Sequence, residues 1–141
     1  MTTTEFTRTT VVGDRAREQT FGPISITDIV RYAGASGDFN PLHHDDAAAR
    51  KAGFDGVFSI GMFQAALLGT FAAGWLGAAN VRRFTTRFQE QVWPGDVLVC
   101  NGEVTAVRPG DGGSAVEVAL TCARQGAGVA ITGSAEFWLP A

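Results

Sequence analysis

The chain has 141 residues, 45% hydrophobic and 18% charged, with a formal net charge of −3. That length and balance describe one globular domain over 1–141, and the slight acidic excess excludes a surface built to track nucleic-acid phosphates. Two cysteines, Cys100 and Cys122, with no Cys-x-x-Cys pattern, predict neither a zinc site nor a disulfide framework.

In chain order, residues 1–10 are rich in threonine, lack the apolar run of a signal peptide and are expected to be disordered. A weak edge strand is expected within 10–21, followed by a turn at Phe21-Gly22-Pro23. Ser25 or Thr27 then caps a short helix ending at Arg31 or Ala33, whose Ile26, Ile29, Val30 and Ala33 recur at helical spacing. Asp45 reads as the cap of a second helix over 46–52, with Gly53 just past its end. Asp45 and Asp46 both lie at the positive end of that helix dipole, so capping accounts for them and no chemistry is assigned.

From Gly56 to Val81 there is no charged residue. The stretch is long enough to span a bilayer, but glycines and Ser59, Gln64, Thr70 and Asn80 interrupt it, and no basic flank precedes it. A cytoplasmic protein without a membrane span is expected. Within it, 59–76 reads as one helix about 25 Å long at 1.5 Å per residue. Its apolar residues, Met62, Phe63, Leu67, Leu68, Phe71 and Trp75 among them, point all round, which predicts burial on every side.

The remainder alternates like strands. One is expected over 84–92, and the turn Trp93-Pro94-Gly95-Asp96 separates it from a second over 97–107. Two more follow over 116–123 and 129–139, and the four are expected to form a meander. A single antiparallel sheet buries a long helix by curling around it, so the predicted class is α+β.

The loop before the second helix reads Ser36-Gly37-Asp38-Phe39-Asn40-Pro41-Leu42-His43-His44, and it holds both histidines. Gly37 can take positive φ, Pro41 locks its own φ, and Pro41 also pushes Asn40 out of the helical region. Such a turn brings Asp38, Asn40 and His43 together without helical spacing. A carboxylate, an amide and an imidazole on a stiff loop suit general acid–base chemistry on a bound water. The plainer reading is an Asx turn that satisfies backbone N–H groups, with His43 on the surface.

Ser36-Gly37-Asp38-Phe39-Asn40-Pro41-Leu42-His43, with Ala49 six residues on, Gly61-Met62 opening the long helix, Arg87-Phe88 and Trp93-Pro94-Gly95-Asp96, resembles the MaoC-like hydratases, the (R)-specific enoyl-CoA hydratase family of the hot-dog fold. The resemblance covers about residues 20–138. It implies a curled antiparallel sheet around a long central helix. It also implies reversible hydration of a trans-2-enoyl thioester to the (R)-3-hydroxyacyl thioester, with Asp38 and His43 as the catalytic pair and Asn40 orienting the pair or the water. Gly61 would offer its N–H to the thioester oxygen, and Ser59 would cap that helix end or touch substrate. Many members carry histidine immediately before this glycine, where this chain has Ile60. Phe39, Phe54, Phe58, Met62 and Phe63 are candidates for the acyl lining, and Arg82, Arg83 and Arg87 either meet a CoA phosphate or form a solvated strand end. The resemblance further implies no cofactor or metal beyond the CoA or phosphopantetheine of the substrate. The expected assembly is a homodimer, or a heterodimer with another MaoC-like chain. The alternatives are a hot-dog thioesterase, or one subunit of a heteromeric dehydratase that needs its partner.

Overall fold

A computed structural model describes residues 9–141, so the expectation of disorder falls, for 1–8, outside the described residues. The elements are β1 (Gln19–Phe21), α1 (Ile26–Ser36), a 3-10 turn (Pro41–His43), α2 (Asp46–Lys51), α3 (Gly61–Leu76) and a 3-10 turn (Ala78–Asn80). Strands β2 (Val81–Phe88), β3 (Leu98–Gly110), β4 (Gly113–Arg124) and β5 (Val129–Pro140) complete the chain.

Each helix begins where its cap dictates, with one exception. Ser25 and Asp28 form a reciprocal capping box on α1, and that helix runs three residues past Ala33 to Ser36, where Gly37 at φ 74° ends it. The Asp45 carboxylate accepts from the N–H groups of Ala47 and Ala48 at 2.9 and 3.1 Å, the capping role expected of it. The exception is α3. It starts at Gly61 rather than Ser59, and its cap residue, Ile60, supplies no side-chain hydrogen bond. Ser59 is not the cap because the helix opens one residue later, and its hydroxyl donates to Gln64 Oε1 at 2.8 Å instead of accepting from a first-turn N–H.

The strands make one antiparallel sheet in the order β1-β3-β4-β5-β2. The expected four-strand meander is therefore correct only for β3-β4-β5. β2 lies at the far edge, with Phe84 opposite Ala135 and Phe88 opposite Ile131. The reason is edge occupancy. β1 pairs with the start of β3, Phe21 opposite Leu98, and covers the edge a meander would have used. The strand expected over 84–92 also begins earlier and ends at Phe88, because the N–H groups of Gln89 and Glu90 converge on the single carbonyl of Ala130.

α3 crosses the concave face, and Ala65, Leu68, Phe71 and Ala72 pack into a core with Leu98, Val104, Val118, Leu120, Ile131 and Phe137. A Cβ at Gly102 would sit 2.9 Å from the Trp75 ring, so glycine there lets the end of the helix approach the sheet. Leu68 is fully buried. Leu68→Ala is expected to cost about 2–5 kcal/mol, through lost burial plus the cavity left behind, as read by urea denaturation.

The expectation of burial on every side fails in the isolated chain. Met62 is 57% exposed, and Phe84 and Phe88, standing beside α3 on β2, are 38% and 53% exposed. A five-stranded sheet curls around one side of a helix and leaves the other flank open. Cys100 and Cys122 face each other across β3 and β4, fully buried and free. The hydrogen bond to Cys122 and burial push the Cys100 thiol well above its usual range, so it acts as a small hydrophobe. Among the described residues no helix is long and apolar enough to cross a membrane.

Candidate active site

The loop between α1 and α2 is built almost entirely from its own polar side chains. Ser36 Oγ donates to the Tyr32 carbonyl at 2.8 Å and accepts from the Asp38 N–H at 3.3 Å. Asp38 Oδ1 accepts from the Asn40 N–H at 3.2 Å, and Asn40 Oδ1 accepts from the Leu42 N–H at 3.1 Å. The Asn40 carbonyl then takes the His43 N–H at 3.0 Å. Asn40 has ψ 124°, outside the helical region, as a residue before proline should. The Asx-turn reading is thus right about the backbone. It uses one oxygen of each side chain and leaves Asp38 Oδ2 and Asn40 Nδ2 for other work.

His43 departs from the plainer reading, because it is buried, at 8% exposure. Its Nδ1 lies 2.8 Å from the Phe58 carbonyl. A carbonyl only accepts, so Nδ1 carries the proton, and in the neutral ring Nε2 is left with its lone pair. The imidazole also meets the Phe58 ring edge-on, centroids 5.1 Å apart, and Phe58 is held in turn against Phe54 and Trp93. Tautomer and orientation are both fixed before any ligand arrives.

Phe58 joins this loop to a second feature. With Ser59, Gly61, Gln64, Phe88 and Ile131, it lines a cavity of about 330 Å³ at the start of α3. The Gly61 N–H is among the first of the helix and has no intrahelical partner, and it stands at the positive end of the dipole. A Cβ at this position would lie 3.1 Å from the Phe88 ring, so a side chain would crowd the cavity wall.

The five candidate residues therefore fall into two groups. Asp38, Asn40 and His43 share one turn, and Ser59 and Gly61 share one cavity wall. Phe58 links the groups through its carbonyl and its ring. No hydrogen bond joins the Asp38 carboxylate to the imidazole. Of the five suggested lining residues only Phe58 lines this cavity; Phe39 is 66% exposed and Phe63 stacks on Tyr32. Ile60, where histidine was expected by resemblance, belongs to the hydrophobic core. The arginines do not converge on the cavity either. Arg82 donates to the carbonyls of Ala79 and Val81, and Arg83 lies with Glu117 and Glu136 on the outer face of the sheet. Gln64 went unremarked as a site residue; its signal was a long polar side chain in the uncharged stretch.

Residues 7–125 match the family described as MaoC like domain. The chain is similar to the (R)-specific enoyl-CoA hydratase of Aeromonas caviae, 31% identical over 132 residues that cover 92% of this chain and 95% of that protein. It is also 36% identical, over 98 residues, to a mitochondrial 3-hydroxyacyl-[acyl-carrier-protein] dehydratase of Arabidopsis thaliana, a match covering 69% of this chain and 57% of the plant protein. The chain thus spans little more than half of that relative. Among solved structures, an (R)-hydratase of A. caviae involved in PHA biosynthesis superposes with a TM-score of 0.82 at 28% identity, over 94% of this chain and 99% of that one. A chain of the ChsH1-ChsH2 complex of Mycobacterium tuberculosis superposes at 0.81 and 26% identity, over 93% and 99%. By family match, full-length relative and fold together, the chain is a member of the MaoC-like family, hydratases and dehydratases of the hydro-lyase class built on the hot-dog fold.

Proposed function

We propose that the chain adds water across a trans-2-enoyl thioester to give the (R)-3-hydroxyacyl thioester, or runs the reverse dehydration. The observation that carries this reading is the buried His43, locked through Nδ1 on the Phe58 carbonyl so that Nε2 is free beside the Asp38 turn. Nε2 takes a proton from a water whose position the Asp38 carboxylate and the Asn40 amide help set. The water oxygen adds to C3, and the electron pair moves through C2 to the thioester oxygen. The Gly61 N–H, at the positive end of α3, stabilises that developing enolate. The imidazolium then returns the proton to C2. Atoms balance with no group beyond the thioester's own carrier. That carrier is CoA in the name of the A. caviae relative and an acyl carrier protein in that of the Arabidopsis relative.

The open flank at Met62, Phe84 and Phe88 supports assembly with a second MaoC-like chain, identical or different, since it leaves apolar rings beside the apolar helix exposed. The ChsH1-ChsH2 neighbour is named as a complex, in keeping with either arrangement.

The test is to mix the purified chain with crotonyl-CoA and with a longer enoyl-CoA while following the enoyl-thioester absorbance and free thiol. Loss of the band without thiol is the expected result. Thiol release would mean thioester hydrolysis instead, and silence with both substrates would favour a subunit that requires its partner. Gly61→Val keeps the backbone N–H but crowds the space in front of Phe88, and by blocking approach to that donor it is expected to reduce kcat/KM on the order of 100-fold or more. Unchanged kinetics in that variant would remove Gly61 from the mechanism.

A further inference from the structure

The wall of the cavity at the start of α3 buries two polar side chains, Ser59 at 2% exposure and Gln64 at 3%. They are hydrogen-bonded to each other, Ser59 Oγ donating to Gln64 Oε1 at 2.8 Å. That bond takes the oxygen end of the carboxamide and leaves Nε2 with no protein partner among the described residues. Among those residues no fully buried side-chain nitrogen or oxygen lacks a partner, so Nε2 reaches the cavity surface and is not sealed in the core. Gln64 is the fourth residue of α3, and helical side chains lean back over the turn before them. Here that turn opens on Gly61.

A buried carboxamide donor has to be matched by whatever fills the cavity. A purely aliphatic occupant would strip Nε2 of water and give nothing back, whereas an occupant carrying an acceptor satisfies it. Every acyl thioester brings one such acceptor, its carbonyl oxygen, and the same wall already presents the Gly61 N–H. Ile60 is committed to the core, and of the three carboxamides that line the cavity, Gln64, Gln89 and Gln91, only Gln64 is buried, Gln89 and Gln91 being exposed.

We propose that Gln64, oriented by Ser59, is a second hydrogen-bond donor to the thioester oxygen of the substrate, beside the Gly61 N–H. This rests on the reading that the cavity receives an acyl thioester. Two preorganised neutral donors strengthen as negative charge builds on that oxygen, so the effect falls more on kcat than on KM. Ser59 is a positioning residue in this arrangement. It holds the oxygen end of the amide and so aims the nitrogen end.

The test uses butyryl-CoA carrying carbon-13 at the carbonyl, a saturated thioester with no double bond to hydrate. On binding to the wild-type protein its carbonyl resonance is expected to move downfield, and in Gln64→Leu that displacement is expected to fall to half or less. Crotonyl-CoA turnover by Gln64→Leu should drop on the order of 100-fold in kcat, with the shape of the pH profile retained because His43 and Asp38 are untouched. Ser59→Ala should show a smaller loss in both readouts. Gln64→Met, of similar length, guards against a folding defect in the leucine variant. Equal displacement in the wild type and in both Gln64 variants overturns the proposal, as does the absence of any displacement in the wild type. A wild-type displacement that Gln64→Leu abolishes, in a chain that hydrates neither crotonyl-CoA nor the longer enoyl-CoA, would leave this proposal standing while the chain alone fails as a hydratase.

Discussion

Asp38→Asn is expected to lower turnover of an enoyl thioester by about two to four powers of ten while leaving the fold intact. The substitution is close to silent for the backbone. Asn at this position still offers Oδ1 to the Asn40 N–H, the bond that shapes the turn, so Pro41 and the 3-10 turn behind it keep their place. What is lost is the negative charge. In the proposed mechanism that charge steadies the water and the imidazolium that forms when Nε2 takes a proton, and a neutral amide does neither. The measurement is loss of enoyl-thioester absorbance under saturating substrate, together with a thermal melt of each protein. A variant within tenfold of the wild type would assign Asp38 to the turn alone.

The second large effect is expected at His43, and here the choice of substitution decides what is learned. His43→Ala removes a buried ring, opens space against Phe58 and strands the Phe58 carbonyl, so it mixes structural damage with chemistry. His43→Asn separates the two. The Asn Nδ2 takes the place of the histidine Nδ1 and can donate to the same carbonyl, while nothing replaces Nε2. Activity is expected to fall by about two to four powers of ten with a melting temperature close to that of the wild type, and alanine should lose both. Because the proposed mechanism has the two side chains act on one water, the Asp38→Asn/His43→Asn double variant should be little worse than the poorer single variant. Losses that multiply would mean the residues work in independent steps.

The polar turn over 36–43 was legible because it is self-contained. Gly37, Pro41 and the side-chain oxygens of Asp38 and Asn40 determine its shape within eight residues, and the motif can be read without knowing what surrounds it. The Ser25 and Asp45 caps were legible for the same reason, as was the turn at Trp93-Pro94-Gly95-Asp96, where the Asp96 carboxylate accepts from the Trp93 N–H at 2.8 Å and from Arg124 Nε at 2.7 Å. Gly61 could be picked out as the residue whose N–H opens a long helix. Ser59 as the cap of that helix could not be refuted locally. What refutes it is the fold, in which the helix opens one residue later and the Ser59 hydroxyl is turned to Gln64 in the cavity wall.

By itself, then, the sequence determined the α+β class, most helix starts and the three-residue polar set, since each depends on contacts between residues close along the chain. The tertiary structure alone decided the place of β2, the open flank of α3, the burial and tautomer of His43 and the pairing of Ser59 with Gln64. Edge pairing depends on which neighbour is already occupied, as β1 occupies β3, and periodicity within β2 carries no record of that. Burial depends on what lies opposite in space. A polar residue in an apolar helix reads as an interruption until the fold places it, partnered on one side only, against a cavity.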